Sequence, residues 1–269
     1  MIKRLARAVD RLDHEQRRRF YGYPSEPIPR LEYRFLKDLL PPAVTADTYL
    51  VAKEVTSRYL TDWGWYPREV LPGKGGTVVE VGAYLGHKTM RFVDECVGTS
   101  GRVLAIEMIP EDVQLLRRNI EANGLEGCVE AMQCGVWKEP GLRALRGKGR
   151  QRDSLVNLDK LGPERGQAVP TDTLDNILRR WGVATADFLV VTANGAEIEV
   201  LEGLQHEWKR VKAVYVAASY TVDGVPTHDR CLEILKRRGS TILPQTTQHA
   251  IYAAGPRRTV ARPVGTTHG

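Results

Sequence analysis

The sequence lacks long apolar runs and paired cysteines, and each absence argues against a class of protein. No stretch of about 18 apolar residues occurs among the 269 residues, so we expect no membrane-spanning helix. The first twenty residues contain no continuous apolar segment, which argues against a signal peptide. The four cysteines are scattered without a CxxC pair, so we expect reduced thiols in a cytoplasmic protein rather than zinc ligands or disulfides.

The composition that remains is typical of a soluble globular chain. Hydrophobic residues make up 42% and charged residues 27% of the sequence. The length suits one α/β domain with an N-terminal extension. The net charge of +6 is a modest bias toward anionic partners. Much of this excess lies in residues 1–20 and in the stretch from Arg143 to Arg152.

Residues 1–68 are predicted to form a helical, basic extension and cap. Residues 1–20 have the period of an amphipathic basic helix, which either contacts an anionic surface or packs on the domain or on a second subunit. Residues 21–42 are rich in proline and aromatic residues and indicate an irregular linker or cap. Residues 45–65 favour a helix that either covers a ligand crevice or belongs to the core.

The most informative stretch is Thr77–His87, TVVEVGAYLGH, which predicts a strand, a tight turn and the start of a helix. Gly82 and Gly86 permit positive φ and the close approach of a ligand, and the helix start offers unpaired N–H groups. Glu80 supplies a charge to the same crevice. The two glycines differ from the three-glycine dinucleotide fingerprint, and Lys88 does not stand in the GK[ST] context of a phosphate-binding loop. An ordinary turn is the alternative.

A second acidic residue follows the next predicted strand. Residues 102–106 form a short apolar strand that ends in Glu107, twenty-one residues past Gly86. An acid at this position is placed to accept hydrogen bonds from the ribose hydroxyls of an adenosine. Pro110 near the first turn and Gly124 at the end delimit a predicted helix over residues 111–123.

A third strand is predicted at residues 129–134, followed by the turn Gly135-Val136-Trp137. If the predicted strands form an α/β sheet that binds an adenosine, this turn lies beside the adenine. Trp137 then either flanks the base or packs at the end of the sheet. Residues 138–168 show little helical period and are predicted to be an insertion or hairpin near the rim of the site. This insertion either guides an anionic substrate or is a solvated loop.

The second half of the chain continues the alternation of helices and strands. The predicted elements are a helix capped by Asp172 and ended by Gly182, a strand at 187–192, a strand at 212–218, a helix capped by Thr227, and a closing antiparallel pair at 241–243 and 249–253. Residues 256–269 are predicted to be a disordered tail.

Strands alternate with helices from residue 77 to residue 239, which predicts a doubly wound, Rossmann-like parallel sheet with a closing antiparallel strand. Ligands of such sheets bind at the carboxyl ends of the strands. The residues of interest fall at those ends, namely Glu80, Gly82, Glu107, Trp137 and Asn194.

The chain resembles the FkbM family of S-adenosylmethionine-dependent methyltransferases. Four segments carry the resemblance: VVEVGAYLGHKT, RVLAIEMIPEDVQLLRRNIEANGL, VPTDTLDNIL and VVTANGAEIEVLEGL. It covers about residues 70–255 and favours a methyltransferase domain at 69–255. It implies O-methylation of a hydroxyl on a sugar or small natural product, and we separately expect no metal site. It also implies S-adenosyl-L-methionine as cofactor, held by Glu80, Gly82, Ala83, Tyr84, Gly86, Glu107, Met108, Gly135 and Trp137.

The chain departs from the family pattern at the fourth-strand motif, which usually reads Lys-Ile-Asp-Val-Glu-Gly-Ala-Glu. Thr192 stands where the Asp is usual, and Asn194 stands where the first Glu is usual. Methyl transfer needs an in-line approach and a group that removes the hydroxyl proton. Thr192 serves poorly as a base or metal ligand, which disfavours a metal-assisted mechanism built on this turn. The same turn reads TANG and lacks the Pro-Pro signature of enzymes that methylate exocyclic base amines.

The candidate catalytic residues are therefore Asn194, Glu197 and His87, with His228 as an alternative base. Each of them has a structural alternative, as a helix-capping acid or a surface histidine. We expect Glu107→Ala to weaken cofactor binding with little effect on folding. The expected partners are a small-molecule or glycan acceptor, an anionic partner of the basic N-terminal helix, and a second copy of the chain in a homo-oligomer.

Two other functions remain open at this point. The first is an RNA methyltransferase that binds through the basic N-terminal helix and the loop at residues 143–152. The second is a binding module with a degenerate methyltransferase fold, which the replacements at Thr192 and Asn194 keep in consideration.

Overall fold

The computed structural model describes four stretches of the chain: residues 66–146, 154–156, 168–222 and 224–256. The predicted basic helix, linker and cap helix within residues 1–65 lie outside these stretches, and so does nearly all of the predicted tail. The proposed boundary between extension and domain at residues 68 and 69 therefore stays a prediction.

The first strand, β1 (Thr77–Val81), leads through the glycine turn into a short helix, α1 (His87–Arg91). The helix continues as a π-helical segment, Phe92–Val97, in which Gly98 N donates to Val93 O at 2.9 Å. One face of this helical segment is buried, and its five residues are Thr89, Phe92, Val93, Cys96 and Val97.

The next two strands flank the longest described helix. These elements are β2 (Arg102–Glu107), α2 (Pro110–Ala122) and β3 (Val129–Gln133). Pro110 occupies the start of α2, where its missing N–H costs nothing, and two acidic residues in the first turn complement the helix dipole. The predicted strand, helix and strand are thus confirmed.

A second, four-stranded sheet follows. Its strands are β4 (Gly135–Val136), β5 (Gly141–Arg146), β6 (Ser154–Val156) and β7 (Ala168–Asp172), in the order β4-β7-β5-β6. β5 pairs antiparallel with both β6 and β7, and β4 pairs parallel with β7. The described residues of the region 138–168 therefore form antiparallel strand pairs, as the predicted hairpin requires.

Helix α3 (Leu174–Trp181) begins one residue later than the sequence predicted. Thr173, not Asp172, is its N-cap, because Thr173 Oγ1 accepts a 3.1 Å hydrogen bond from Asn176 N. Asp172 instead ends β7, and its Oδ1 accepts bonds from Thr173 N and from Asn176 Nδ2 at 2.8 and 2.7 Å.

The remaining elements are β8 (Phe188–Val191), α4 (Glu197–Glu202), a 3₁₀ turn (Trp208–Arg210), β9 (Ala213–Val216), β10 (Thr221–Val222), β11 (Val225–Pro226), α5 (Thr227–Arg237), β12 (Thr241–Ile242) and β13 (Ile251–Ala254). The hairpin of β10 and β11 was not predicted. The predicted cap at Thr227 is wrong by one residue, since Pro226 is the N-cap and the Thr227 hydroxyl donates to Tyr220 O.

The main sheet has seven strands in the order β12-β13-β9-β8-β1-β2-β3. The five strands from β9 to β3 are parallel, β13 runs antiparallel to β9, and β12 runs antiparallel to β13. This confirms the predicted doubly wound sheet with its closing antiparallel pair. The strand order reverses between β1 and β8, and ligands of open α/β sheets bind at such a reversal.

Apolar cores cover both faces of this sheet. Val79 and Val81 point into one core, and Val78 points into the other, as the two-residue period of a strand requires. Burial on both faces explains why the strands are almost continuously apolar in sequence.

All four cysteines are free, as predicted, and Cys96, Cys128 and Cys231 are buried. Within the described stretches, no helix has the length and apolar character needed to cross a membrane.

Candidate active site

The turn after β1 is shaped by two glycines with positive φ. Gly82 has φ +80°, and a Cβ at this position would lie 2.1 Å from the backbone oxygen of Thr192, at the end of β8. Gly86 has φ +91°, and a Cβ there would lie 2.6 Å from Leu116 Cδ1 on α2. The predicted need for glycine is confirmed, since both φ values disfavour a residue with a side chain and the Thr192 backbone leaves no room for a Cβ at Gly82.

The turn after β1 is bonded to the end of β2. The backbone N–H groups of Gly82 and Ala83 both donate to Ile106 O, at 2.9 and 3.0 Å. Tyr84, a non-glycine residue with φ +55°, donates its N–H to Glu107 Oε2 at 2.9 Å. The β1 turn and Glu107, which were both predicted to hold the cofactor, therefore lie together at the carboxyl ends of β1 and β2.

Glu107 has a structural role that the sequence did not reveal. Its carboxylate is buried, and Oε1 accepts hydrogen bonds from Met108 N and Ile109 N at 2.8 and 3.0 Å. With the bond from Tyr84, it connects the loop after β1 to the loop after β2. The expectation that Glu107→Ala leaves folding intact must therefore be revised, since three backbone N–H groups, one of them fully buried, would lose their acceptor.

Glu80 faces helix α1 and is only 1% exposed. Thr89 Oγ1 donates a 2.5 Å hydrogen bond to Glu80 Oε2. Burial raises the pKa of Glu80 to about 7, against the lowering effects of Lys88 and of the Thr89 bond. Its predicted contact with the cofactor stays a prediction.

Lys88 is a site residue that sequence reasoning missed. Its Nζ donates to Thr192 Oγ1 at 3.5 Å and lies 5.9 Å from the centre of the Tyr215 ring on β9. Burial lowers the pKa of Lys88, and the neighbouring Glu80 opposes this shift. A lysine two residues after the second glycine was the available signal, but the pattern does not show toward which strand the side chain extends.

The turn after β8 holds two of the predicted catalytic residues. Asn194 has φ +50°, and its Oδ1 accepts a 2.7 Å hydrogen bond from Tyr220 Oη. Gly195 N lies 3.0 Å from both carboxylate oxygens of Glu197, which is completely buried. Burial raises the pKa of Glu197 to about 7, although the Gly195 bond opposes the shift. Glu197 therefore holds its own turn, and its predicted role toward an acceptor stays a prediction.

Trp137 directly follows β4 and lies between the loop after β2 and the turn after β8. It is 4% exposed and packs against Val169 and Ala196, with Met108 at the edge of the same cluster. The Arg143 guanidinium lies 5.4 Å from its ring centre. Its Nε1 has no hydrogen-bond partner among the described residues. Packing of Trp137 in this position does not prevent its ring from also contacting a base. The contact with a base stays a prediction. Gly135, the first residue of β4, is buried two residues earlier.

The two histidines are less informative. His87 begins α1, and the predicted role of its side chain lies outside the described part of the structure. His228 lies in the first turn of α5, where its Nδ1 is 3.0 Å from Asp229 Oδ1. Its Nε2 has no hydrogen-bond partner within the described stretches.

A profile of the methyltransferase FkbM domain matches residues 80–242, which is more than half of the chain. The chain belongs to the FkbM methyltransferase family. The match begins at Glu80 in β1 and ends at Ile242 in β12, so this FkbM domain includes both strand-to-helix turns described above. No curated protein sequence matches the chain.

Several solved structures are similar to this FkbM-family protein. The FkbM methyltransferase of Methylobacillus flagellatus is 17% identical, with a TM-score of 0.46 over 82% of this chain and 57% of the solved chain. An O-methyltransferase from Bacillus cereus is 14% identical, with a TM-score of 0.45 over 82% and 96%. Fibrillarin from Aeropyrum pernix is 13% identical, with a TM-score of 0.42 over 75% and 74%.

Proposed function

We propose that this FkbM-family protein uses S-adenosylmethionine to methylate a hydroxyl group on a sugar or another small molecule. The observation that carries the proposal is the bonding of the β1 turn to Glu107 at the end of β2, next to the point between β1 and β8 where the strand order reverses. Ligands of doubly wound sheets bind at this point, between the carboxyl ends of the strands.

The residues on the β2 side of the crevice suit an adenosine. Glu107 is an acid that is held rigidly by backbone bonds, and its carboxylate can accept bonds from hydroxyl donors. Met108 and Trp137 add apolar surface for a flat base, and the buried Trp137 N–H lacks a partner among the described residues. The positive φ values of Gly82 and Gly86 give the close turn that such a ligand requires. When bound, S-adenosylmethionine supplies an electrophilic methyl group on positively charged sulfur.

The residues on the β8 side suit a hydroxylated acceptor. The amide of Asn194, the hydroxyl of Tyr220 and the amino group of Lys88 are short-range hydrogen-bonding groups near the ends of β8 and β9. Several such groups can orient an acceptor for in-line attack, which supplies much of the rate of a methyl transfer. The sequence TANG at this turn supports a hydroxyl rather than an exocyclic base amine as the acceptor group.

Calorimetric titration of the full chain with S-adenosylmethionine and with S-adenosylhomocysteine tests the cofactor. We expect both to bind, and we expect at least about tenfold weaker binding in Glu107→Gln, the cost of one hydrogen bond to a charged group. Lys209→Gln, on the exposed surface, is the matched control and should bind normally. Absence of binding to folded wild-type protein would contradict the proposal.

Release of S-adenosylhomocysteine in the presence of methyl glycosides, small phenols and total RNA then tests the acceptor. Turnover of a glycoside or phenol supports the proposal. Turnover of RNA alone would favour the RNA methyltransferase, whose predicted contacts lie mostly outside the described residues. Cofactor binding without turnover on any of these compounds would favour the binding module.

A further inference from the structure

We propose that Lys88 takes the proton from the acceptor hydroxyl during methyl transfer, an inference that rests on the function proposed above. Lys88 stands in the first turn of α1, and its side chain reaches the carboxyl end of β8 through Thr192. This makes it a catalytic residue that the sequence pattern did not indicate.

Lys88 extends away from the side of the crevice that suits the adenosine. In the main sheet, β2 and β8 lie on opposite sides of β1. Glu107 at the end of β2 marks the side that suits the adenosine. Lys88 extends the other way, toward Thr192 on the β8 side and the Tyr215 ring on β9. With the adenosine of the proposed function on the side of β2, we place the acceptor on the side of β8.

The amino group of Lys88 can form further hydrogen bonds. Among the described residues, its hydrogen bond is the 3.5 Å contact with Thr192 Oγ1, which is at the long limit of such bonds. Glu80 is already bonded to Thr89 Oγ1. The titratable groups that face Lys88 among the described residues are Glu80 on β1 and Tyr215 on β9. Tyr66 in turn interacts with both of these groups.

The surroundings of Lys88 favour the neutral form of its amino group. Burial lowers the pKa of Lys88, which increases the fraction of neutral amine that can accept a proton. A carboxylate at position 192 would hold the lysine in its charged form, whereas the Thr192 hydroxyl does not. The other candidates are less suited, because Glu197 is bonded to Gly195 N and the Asn194 amide is not basic.

The transfer is balanced in atoms and charge. Lys88 Nζ gains the proton as the acceptor O–H bond breaks, and the oxygen lone pair forms the new bond to the methyl carbon. The carbon–sulfur bond breaks, and its electron pair passes to sulfur. One positive charge disappears from sulfur and one appears on Lys88, so the net charge of the crevice is unchanged, and Glu80 stabilises the product ammonium.

The test measures the titration of Lys88 in the full chain without an acceptor. Lysines are reductively dimethylated with ¹³C-formaldehyde and a borane reductant. Their signals are followed by NMR as a function of pH, and Lys88→Arg and Lys209→Arg assign the two of interest. We expect Lys88 to titrate at lower pH than the exposed Lys209. The sulfonium of S-adenosylmethionine places a positive charge nearby. Its binding should therefore lower the pKa of Lys88 further, by about one unit, which is the effect of one close charge. S-adenosylhomocysteine, whose sulfur is neutral, should not.

Two outcomes would overturn the inference and leave the proposed function standing. The first is the same pKa for Lys88 in the presence of either ligand when calorimetry shows that both bind. The second is a pKa for Lys88 equal to that of the exposed Lys209. If calorimetry shows that neither ligand binds, the proposed function fails first, and the inference fails with it. With an acceptor that is turned over, Lys88→Arg should lower kcat about a hundredfold or more and leave the affinity for S-adenosylmethionine unchanged.

Discussion

Tyr220 Oη donates a 2.7 Å hydrogen bond to Asn194 Oδ1, which connects the segment after β9 to the turn after β8. Asn194 has φ +50°, a conformation that costs free energy for a residue with a side chain. The bond from Tyr220 stabilises the asparagine in this conformation at the edge of the crevice. The neutral pair therefore fixes the shape of the turn where the family pattern usually has an acid.

Tyr220→Phe should lower the free energy of unfolding by about 1 kcal/mol, since it removes one hydrogen bond of ordinary strength. Urea denaturation of the purified protein measures the change. A double-mutant cycle with Asn194→Gly provides the control, because glycine removes both the acceptor and the backbone strain. Additive effects of the two substitutions would show that the bond does not stabilise the turn.

Gly82→Ala should be far more damaging than Gly182→Ala, although both glycines have positive φ, +80° and +71°. At Gly182 the added methyl group meets nothing within 4 Å, so only the conformational cost of about 1 kcal/mol remains. At Gly82 the methyl group would lie 2.1 Å from Thr192 O, and the two strand ends must separate. Urea denaturation of both variants gives the comparison, and similar midpoints would contradict the close packing of these turns.

Substitution of Glu107 should affect both stability and cofactor binding. Glu107→Ala removes the acceptor of three backbone N–H groups and should lower the free energy of unfolding by about 2–3 kcal/mol. Glu107→Gln keeps one acceptor oxygen and should lose less. Denaturation and calorimetry on the same preparations separate the two effects. Wild-type affinity in a folded Glu107→Gln protein would remove Glu107 from the cofactor site.

The stability of the protein should decrease as the pH rises from about 4.5 to 7. Glu197 has an ordinary pKa of 4.5 when unfolded and a pKa of about 7 when folded, so the folded state holds a proton that the unfolded state has lost. Its contribution to stability is full below pH 4.5 and is lost as the pH passes the folded value. The slope approaches about 1.4 kcal/mol per pH unit for one such group. Urea denaturation between pH 4 and 8 should show a flatter profile for Glu197→Gln, and an unchanged slope would contradict the raised pKa.

Many features of the fold were predictable because they depend on residues close together in the chain. The alternation of apolar strands with helices gave the doubly wound sheet, and the acid before Gly82 and Gly86 marked the strand-to-helix turn. The start of α3 was predicted one residue early, because strand pairing keeps Asp172 extended and leaves Thr173 as the cap.

The sequence by itself determined the class of fold, the position of the two turns and the acids at the ends of β1 and β2, since period and turn chemistry are local properties. Only the tertiary structure placed Lys88 against Thr192, 104 residues away, and Tyr220 against Asn194. Only the structure showed that Glu107 binds the N–H group of Tyr84, 23 residues before it. These contacts depend on the order of strands in the sheet, which brings distant segments to the same edge and decides which polar groups share a buried site.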